Sequence, residues 1–130
     1  MSENADLVKS AYGAFAEGDI PGVLGVLGER VEWDVSAILP QGGSWRGRDS
    51  VAEFFDTLGS QWADLALEIE QVVSEGDTVV VFGRAAGRLR EHGDAAAGYS
   101  FVHTFTVDGG AITRFREWAD PDEELREHSR

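Results

Sequence analysis

The chain has 130 residues, 42% of them hydrophobic, which fits one domain, residues 1–130, with one core. Its net charge of −13 repels phosphate backbones and anionic lipid, so neither nucleic acid nor a membrane is a predicted partner. The chain contains no cysteine, three scattered histidines and no apolar run near the ~18 residues of a membrane span, so we predict no disulfide and no metal site.

The N-terminal segment MSENADLVKS lacks the basic and apolar regions of a signal peptide, so we expect a cytoplasmic protein. A first helix is predicted there, because apolar residues recur at helical spacing from Leu7 to Phe15. Asp19 caps a short second helix that has Pro21 in its first turn. The third helix, SVAEFFDTLG, has a regular apolar face and a possible capping box of Ser50 with Glu53.

One strand is predicted before the third helix and four after it. RVEWDV, from Arg30 to Val35, alternates apolar and acidic residues, and a loop rich in Pro, Gly and Ser follows it to Gly47. The segments LALEIEQVV and TVVVFGRAAGRLR then pair through a turn at Gly76. After the loop EHGDAAAG, the last two strands share residues 98–120 and turn at Asp108-Gly109 or Gly109-Gly110.

An acidic tail, residues 121–130, ends the chain and is predicted to form one or two exposed helical turns. Three helices followed by an antiparallel meander define an α+β fold, because the helices must cover one face of the sheet. Neither an internal repeat nor an interdomain linker interrupts this order.

The order of these elements, and four segments within them, resemble a family that includes SnoaL-like polyketide cyclases, ketosteroid isomerase and nuclear transport factor 2. The segments are AYGAFAEGDIPGVLGVL, VEWDV, WRGRDSVAEFF and HTFTVDGGAITRFREWAD. The resemblance implies three N-terminal helices packed in the concave face of a curved, mostly antiparallel sheet, a cone-shaped, cystatin-like α+β barrel. It also implies a blind apolar pocket and a homodimer formed through the outer face of the sheet.

The residues that ketosteroid isomerase uses are absent at the matching positions. By this resemblance the isomerase base falls on Trp33, its tyrosine on Ala11 and its protonated aspartate on Val102. Asp34 is next to the position of the base, but one residue along a strand means the opposite face. We therefore do not predict the isomerase mechanism, and Asp34 is retained only as a weaker candidate acid.

SnoaL-like cyclases resemble the chain more closely at the last strand. They place an acidic base seven residues beyond the turn glycine, and seven residues beyond Gly110 is Glu117. They also have a histidine on the preceding strand, for which His103 is the nearest match. The alternative for Glu117 is a structural ion pair with Arg84, Arg114 or Arg116, and the alternative for His103 is a structural or interface role.

The faces of the last two strands decide which side chains can reach the pocket. A two-residue turn places Glu117 on a face of mostly small side chains, which the resemblance assigns to the pocket. This predicted pocket face is Ser100, Val102, Thr104, Thr106, Ala111, Thr113, Phe115, Glu117 and Ala119. The predicted outer face is Tyr99, Phe101, His103, Phe105, Ile112, Arg114, Arg116 and Trp118. A bulge or an odd loop would reverse the position of His103.

The sequence thus predicts a small, cofactor-independent enzyme that acts on a hydrophobic cyclic or polyketide-like molecule. Its general acid/base chemistry would be that of an isomerase, a cyclase or a hydratase-like lyase. The alternatives are a non-catalytic ligand-binding or dimerisation module and a protein-docking domain. The candidate catalytic residues are Glu117, His103 and Asp34. The predicted pocket residues are Tyr12, Phe15, Trp33, Phe54, Trp62, Ser100, Val102, Thr104, Phe115 and Trp118.

Overall fold

The computed structural model describes residues 3–128, which form several helices and one sheet. The helices are α1 (Glu3–Ala16), α2 (Ile20–Leu24), α3 (Arg48–Gln61) and α4 (Glu123–His128). The strands are β1 (Leu27–Val35), β2 (Gly43–Arg46), β3 (Trp62–Glu75), β4 (Thr78–Leu89), β5 (Ala95–Asp108) and β6 (Ala111–Pro121), and one 3-10 turn covers Arg90–His92.

The six strands form one curved sheet in the order β2-β1-β6-β5-β4-β3. All neighbours are antiparallel except β1 and β6, which are parallel. Helix α1 packs on β3 and β4, and α3 packs on β1, β2 and β3, so both lie on the concave face. The predicted α+β cone is confirmed. Within residues 3–128, none of the helices is long and apolar enough to cross a membrane.

The predicted helices are present, but the third begins earlier than its sequence pattern indicates. The cap of α2 forms as predicted, because the Gly22 N–H donates to Asp19 Oδ1 at 2.9 Å. Helix α3 starts at Arg48, after Gly47 with φ +90°, and no side chain caps it. Ser50 and Glu53 are therefore already inside the helix, and the predicted capping box is wrong.

Several strands are longer than predicted, and one was missed. β1 begins at Leu27, β3 follows α3 directly at Trp62, and β5 begins at Ala95. The missed strand, β2, lies in the predicted Gly- and Ser-rich loop and pairs with β1 at the sheet edge, where Trp45 is opposite Trp33. Its segment GSWR is too short for a recognisable alternation.

The C-terminal helix is not simply exposed, as the tail was predicted to be. Leu125 of α4 is fully buried, and α4 packs on β5 and β6. Ahead of this helix, Asp122 accepts a hydrogen bond from Arg84 at 2.7 Å. The part of the acidic tail that forms α4 therefore closes one end of the core. The tail prediction also covered residues 129 and 130, which lie outside the described residues.

The β5–β6 hairpin contains an irregularity that determines which side chains face the helices. Its turn is Gly109-Gly110, one of the two predicted turns, and both glycines have positive φ, 59° and 79°. Val107 pairs with Ile112, but Thr106 pairs with Arg114, so Thr113 is an extra residue on β6. This β-bulge shifts the register by one residue from there onward.

The bulge makes the predicted faces of β5 wrong. His103, instead of facing outward, pairs with Glu117 and shares the concave face with it. The predicted pocket residues Ser100, Val102 and Thr104 lie on the convex face, where Val102 is paired with Trp118. The residues that turn inward from β5 are the large ones, Tyr99, Phe101, His103 and Phe105.

Candidate functional site

A cavity lies between the helices and the concave face of the sheet. Its mouth is open to solvent, and the space between its walls, with the open solvent at the mouth included, is about 570 Å³. Most of its wall is aromatic or aliphatic, which suits a hydrophobic ligand. The wall consists of Ala11, Tyr12, Phe15, Val23, Trp33, Gln41, Phe54, Phe55, Leu58, Leu65, Leu67, Tyr99, His103, Phe105, Phe115 and Glu117.

Some of the predicted site residues meet at this cavity and others do not. Ser100, Val102 and Trp118 border a shallow groove on the convex face, and Thr104 lies on the same face. Trp62 is buried, but it does not line the cavity. Those that line the wall are Tyr12, Phe15, Trp33, Phe54, His103, Phe115 and Glu117.

A buried histidine and a buried glutamate form the polar end of the cavity. His103 is 4% exposed and Glu117 is 6% exposed, although both side chains are ionisable. They are direct cross-strand neighbours, and His103 Nε2 is hydrogen-bonded to Glu117 Oε2. A buried carboxylate needs such a partner, because it has lost its hydration. The other carboxylate oxygen, Oε1, has no hydrogen-bond partner among the described residues.

Tyr12 extends this pair to a chain of three groups. Its hydroxyl lies 2.5 Å from His103 Nδ1, and the two rings are stacked with centroids 5.9 Å apart. Burial, and then the charge of Glu117, raise the pKa of Tyr12 well above its ordinary value, so the hydroxyl keeps its proton. We therefore assign the Tyr12 O–H as donor to Nδ1 and the Nε2–H as donor to Glu117.

Aromatic rings hold this chain in place. The imidazole of His103 stacks on Phe101 with centroids 3.9 Å apart, and it forms a T-shaped contact with Phe115, with centroids 4.9 Å apart. Phe115 in turn stacks on Trp33, with the ring centroids 3.9 Å apart. Because close-packed rings restrict rotation, His103 presents Nε2 to Glu117 in one orientation.

A second polar group lies on the wall and was missed by the sequence analysis. Gln41 is 2% exposed, accepts a hydrogen bond from Trp62 Nε1 at 3.1 Å, and donates one to Tyr99 Oη at 3.1 Å. Gln41 lies in the loop between β1 and β2, where no periodic pattern could place it. Tyr99 had been predicted on the outer face.

Asp34 does not belong to the cavity. It projects from the opposite face of β1, where Oδ1 accepts hydrogen bonds from Ser44 at 2.6 Å and Arg46 at 3.1 Å. The bond from Ser44, followed by the bond and charge of Arg46 and the charge of Arg116, holds its pKa below the ordinary 3.8. These contacts explain Asp34 as a structural residue that joins β1 to β2.

Replacing Asp34 with asparagine is expected to lower the free energy of unfolding at neutral pH by less than about 1 kcal/mol, because Arg46 is half exposed. The folded-state pKa is below the unfolded one, so this stability exists above pH 3.8 and is lost as pH falls through the folded pKa. Urea unfolding of wild type and Asp34→Asn across acidic pH measures it. Glu29→Gln, at an exposed position on the same strand, is the control, and a pH-independent difference would contradict the account.

The possible metal ligands of residues 3–128 are scattered over the structure. There, no three His, Asp or Glu side chains come together in a way that could hold a metal ion. The polar end of the cavity instead offers one carboxylate, one imidazole and one phenol, which are groups that transfer protons.

Fold and site together define a class: a small α+β cone whose apolar cavity ends on a hydrogen-bonded Tyr–His–Glu chain. The sequence profile of the SnoaL-like domain family matches residues 8–115, and the chain belongs to that family.

The chain is also similar to individual proteins, which include one compared by its sequence and two compared by their crystal structures. An uncharacterized protein of Mycobacterium tuberculosis is 30% identical over 93% of this chain and 94% of its own length. A crystal structure of an NTF2-like protein of unknown function from Burkholderia pseudomallei is 28% identical, with a TM-score of 0.85 over 92% of both chains. The crystal structure of TerC, co-crystallized with polyporic acid, is 28% identical, with a TM-score of 0.81 over 92% of both chains.

Proposed function

We propose that this protein is an enzyme that moves a proton on a hydrophobic, cyclic or polyketide-like molecule, with Glu117 as the general base. The observation that supports this proposal is the buried Glu117 carboxylate, which His103 holds at the end of an apolar cavity. A carboxylate that is held in place within reach of the substrate can act as a general base. Its free oxygen, Oε1, is the acceptor for the substrate proton.

The proposed reaction begins when Glu117 removes a hydrogen from a carbon next to a carbonyl group. The electron pair of the C–H bond then moves to the carbonyl oxygen, and an enolate forms. Return of the proton from Glu117 to another carbon gives an isomer. Attack of the enolate carbon on a second carbonyl instead closes a ring and leaves an alkoxide, which takes up the proton held by Glu117 and becomes a hydroxyl group. His103 and Tyr12 orient the carboxylate and supply hydrogen bonds that adjust as its charge changes.

Two relationships support a small-molecule substrate. SnoaL-like cyclases place an acid at the position that corresponds to Glu117, and this chain belongs to the SnoaL-like family. TerC, which is 28% identical, was co-crystallized with polyporic acid. Neither relationship names the substrate of this chain, so the test uses the general chemistry of the proposed step.

Hydrogen–deuterium exchange of 1-tetralone, a two-ring ketone, tests the proposal. In deuterated buffer the wild-type protein is expected to accelerate the loss of the hydrogens next to the carbonyl, as followed by proton NMR. Tetralin, the hydrocarbon without the carbonyl, is the control ligand and should bind without exchange. Binding of 1-tetralone without faster exchange would contradict the enzyme and support a non-catalytic binding module.

We also propose that the convex face of the sheet forms a homodimer. Phe82, Val102 and Trp118 form one cross-strand row there, with Phe82 37% exposed and Trp118 47% exposed. The guanidinium carbon of Arg116 lies 5.3 Å from the Trp118 ring centre, within the range of a cation–π contact. Exposed aromatic rows of this kind are typical of protein interfaces. A cytoplasmic location stays a prediction from the sequence.

Replacing Trp118 with aspartate is expected to convert a wild-type dimer into a monomer, because a charge would be buried in the contact. Light scattering coupled to size-exclusion chromatography measures the mass. Ile38→Asp is the matched control, since Ile38 is 46% exposed in the loop between β1 and β2. A monomeric wild type, or a Trp118→Asp variant that remains dimeric, would refute the proposed interface.

A further inference from the structure

Trp33 has a buried indole N–H without a hydrogen-bond acceptor among the described residues. Its side chain is 6% exposed and lies on the cavity wall. Buried polar groups are almost always paired, because an unpaired group has lost water without gaining another partner. An unpaired donor on the wall of a cavity therefore indicates a partner that enters the cavity.

The other buried tryptophan shows how this fold satisfies an indole N–H internally. Trp62 donates to Gln41 Oε1, and Gln41 is buried with it. The rings in contact with Trp33 are those of Phe54, Phe55 and Phe115, which offer no comparable acceptor. The residues that surround Trp33 on the cavity wall are thus the reason why its N–H is unpaired.

Tyr99 adds a second unpaired donor to the same wall. The indole of Trp62 is a donor only, so it fixes Oε1 of Gln41 toward itself and Nε2 toward Tyr99. The Tyr99 oxygen must then accept, and its own proton has no acceptor among residues 3–128. Burial, followed by the charge of Glu117, raises the pKa of Tyr99 well above its ordinary value, so the proton is retained.

We infer that Trp33 Nε1–H and Tyr99 Oη–H donate hydrogen bonds to oxygen acceptors of the ligand, so that the cavity selects hydrophobic molecules that carry a carbonyl, quinone or enolate oxygen. This inference rests on the proposed function and specifies its substrate class. When Glu117 removes a proton, negative charge develops on the neighbouring carbonyl oxygen. Donors that are already oriented stabilise that charge more strongly than they stabilise the neutral carbonyl.

The indole N–H signals of the four tryptophans provide a direct test by ¹⁵N–¹H NMR. Adding 1-tetralone is expected to shift the Trp33 signal downfield, as a new hydrogen bond does, whereas tetralin should not. A Trp33→Phe variant assigns the signal, and the Trp62 signal, which is already hydrogen-bonded, is the internal reference. If the Trp33 signal responds equally to both compounds, the inference is overturned.

Binding measurements on variants extend the test to both donors. Trp33→Phe and Tyr99→Phe are each expected to weaken 1-tetralone binding by about fivefold while the affinity for tetralin stays within about twofold. Trp45→Phe, a tryptophan that does not line the cavity, is the control and should change neither. Loss at one position only would support the inference and assign the oxygen to that donor.

Failure of this inference can be distinguished from failure of the proposed function. If 1-tetralone exchanges its hydrogens in a Glu117-dependent way but neither variant separates the ketone from the hydrocarbon, only the inference fails. If neither compound binds the wild-type protein, both the proposed function and the inference are rejected. Equal losses for both compounds would mean that the two rings contribute packing and not hydrogen bonds.

Discussion

Replacing Glu117 with glutamine is expected to slow the protein-catalysed exchange of 1-tetralone by about 10²- to 10⁴-fold, the usual contribution of a general base. Glutamine has the shape of glutamate but cannot take up a proton at neutral pH. It can still accept a hydrogen bond from His103 Nε2 through its amide oxygen, so the geometry of the site is retained. Proton NMR of the exchanging ketone gives the rate directly.

The control for this experiment is Glu53→Gln, the same chemical change at an exposed position on α3. It should exchange 1-tetralone at the wild-type rate. Circular dichroism and thermal unfolding of Glu117→Gln should confirm that the variant is folded. A folded Glu117→Gln protein that retains the wild-type exchange rate would exclude Glu117 as the base, whichever group then carried the reaction.

Replacing His103 with phenylalanine is expected to lower the free energy of unfolding by about 3 kcal/mol, because two buried groups lose their hydrogen-bond partner, at about 1–3 kcal/mol each and more for a charged group. The phenyl ring fills most of the imidazole volume, so stacking with Phe101 is retained. Glu117 Oε2 and the Tyr12 hydroxyl, however, both lose their hydrogen-bond partner in a largely buried site. Urea denaturation of the wild type and the variant gives the difference.

A second variant separates the lost hydrogen bonds from lost packing. The double variant His103→Phe/Glu117→Leu is expected to be more stable than His103→Phe alone, because it removes the unpaired carboxylate. Arg88→Ala, which breaks the exposed ion pair with Asp64, is the matched control and should cost less than about 1 kcal/mol. If His103→Phe resembles Arg88→Ala in stability, the buried pair contributes nothing to the fold.

Much of the fold could be predicted because its signals are local. Asp19 and Pro21 mark the start of α2, and Gly109-Gly110 marks a two-residue hairpin, each through the conformation of one or two residues. The residues at which the strands begin were harder to predict. The short edge strand β2 exists because β1 lies beside it, and the segment GSWR alone does not encode it.

In the candidate site, too, local features could be predicted and features that depend on the whole sheet could not. Glu117 could be found by counting from Gly110, since both lie on one hairpin. The face of His103 could not be predicted, because the bulge at Thr113 shifts the register by one residue between the turn and the site. Nothing in the residues around Thr113 distinguishes a bulged strand from a regular one. The exposed and buried faces of β5 were consequently interchanged.

By itself, the sequence determined most of the elements, the family and the acid on the last strand, because each depends on neighbours a few residues apart. The tertiary structure alone decided that Tyr12 and Gln41 reach the residues of β5, over sequence separations of 91 residues to His103 and 58 residues to Tyr99. Those contacts depend on the curvature and register of the whole sheet, which arise from the packing of all six strands against the helices. The unpaired donors on the cavity wall follow from that packing as well.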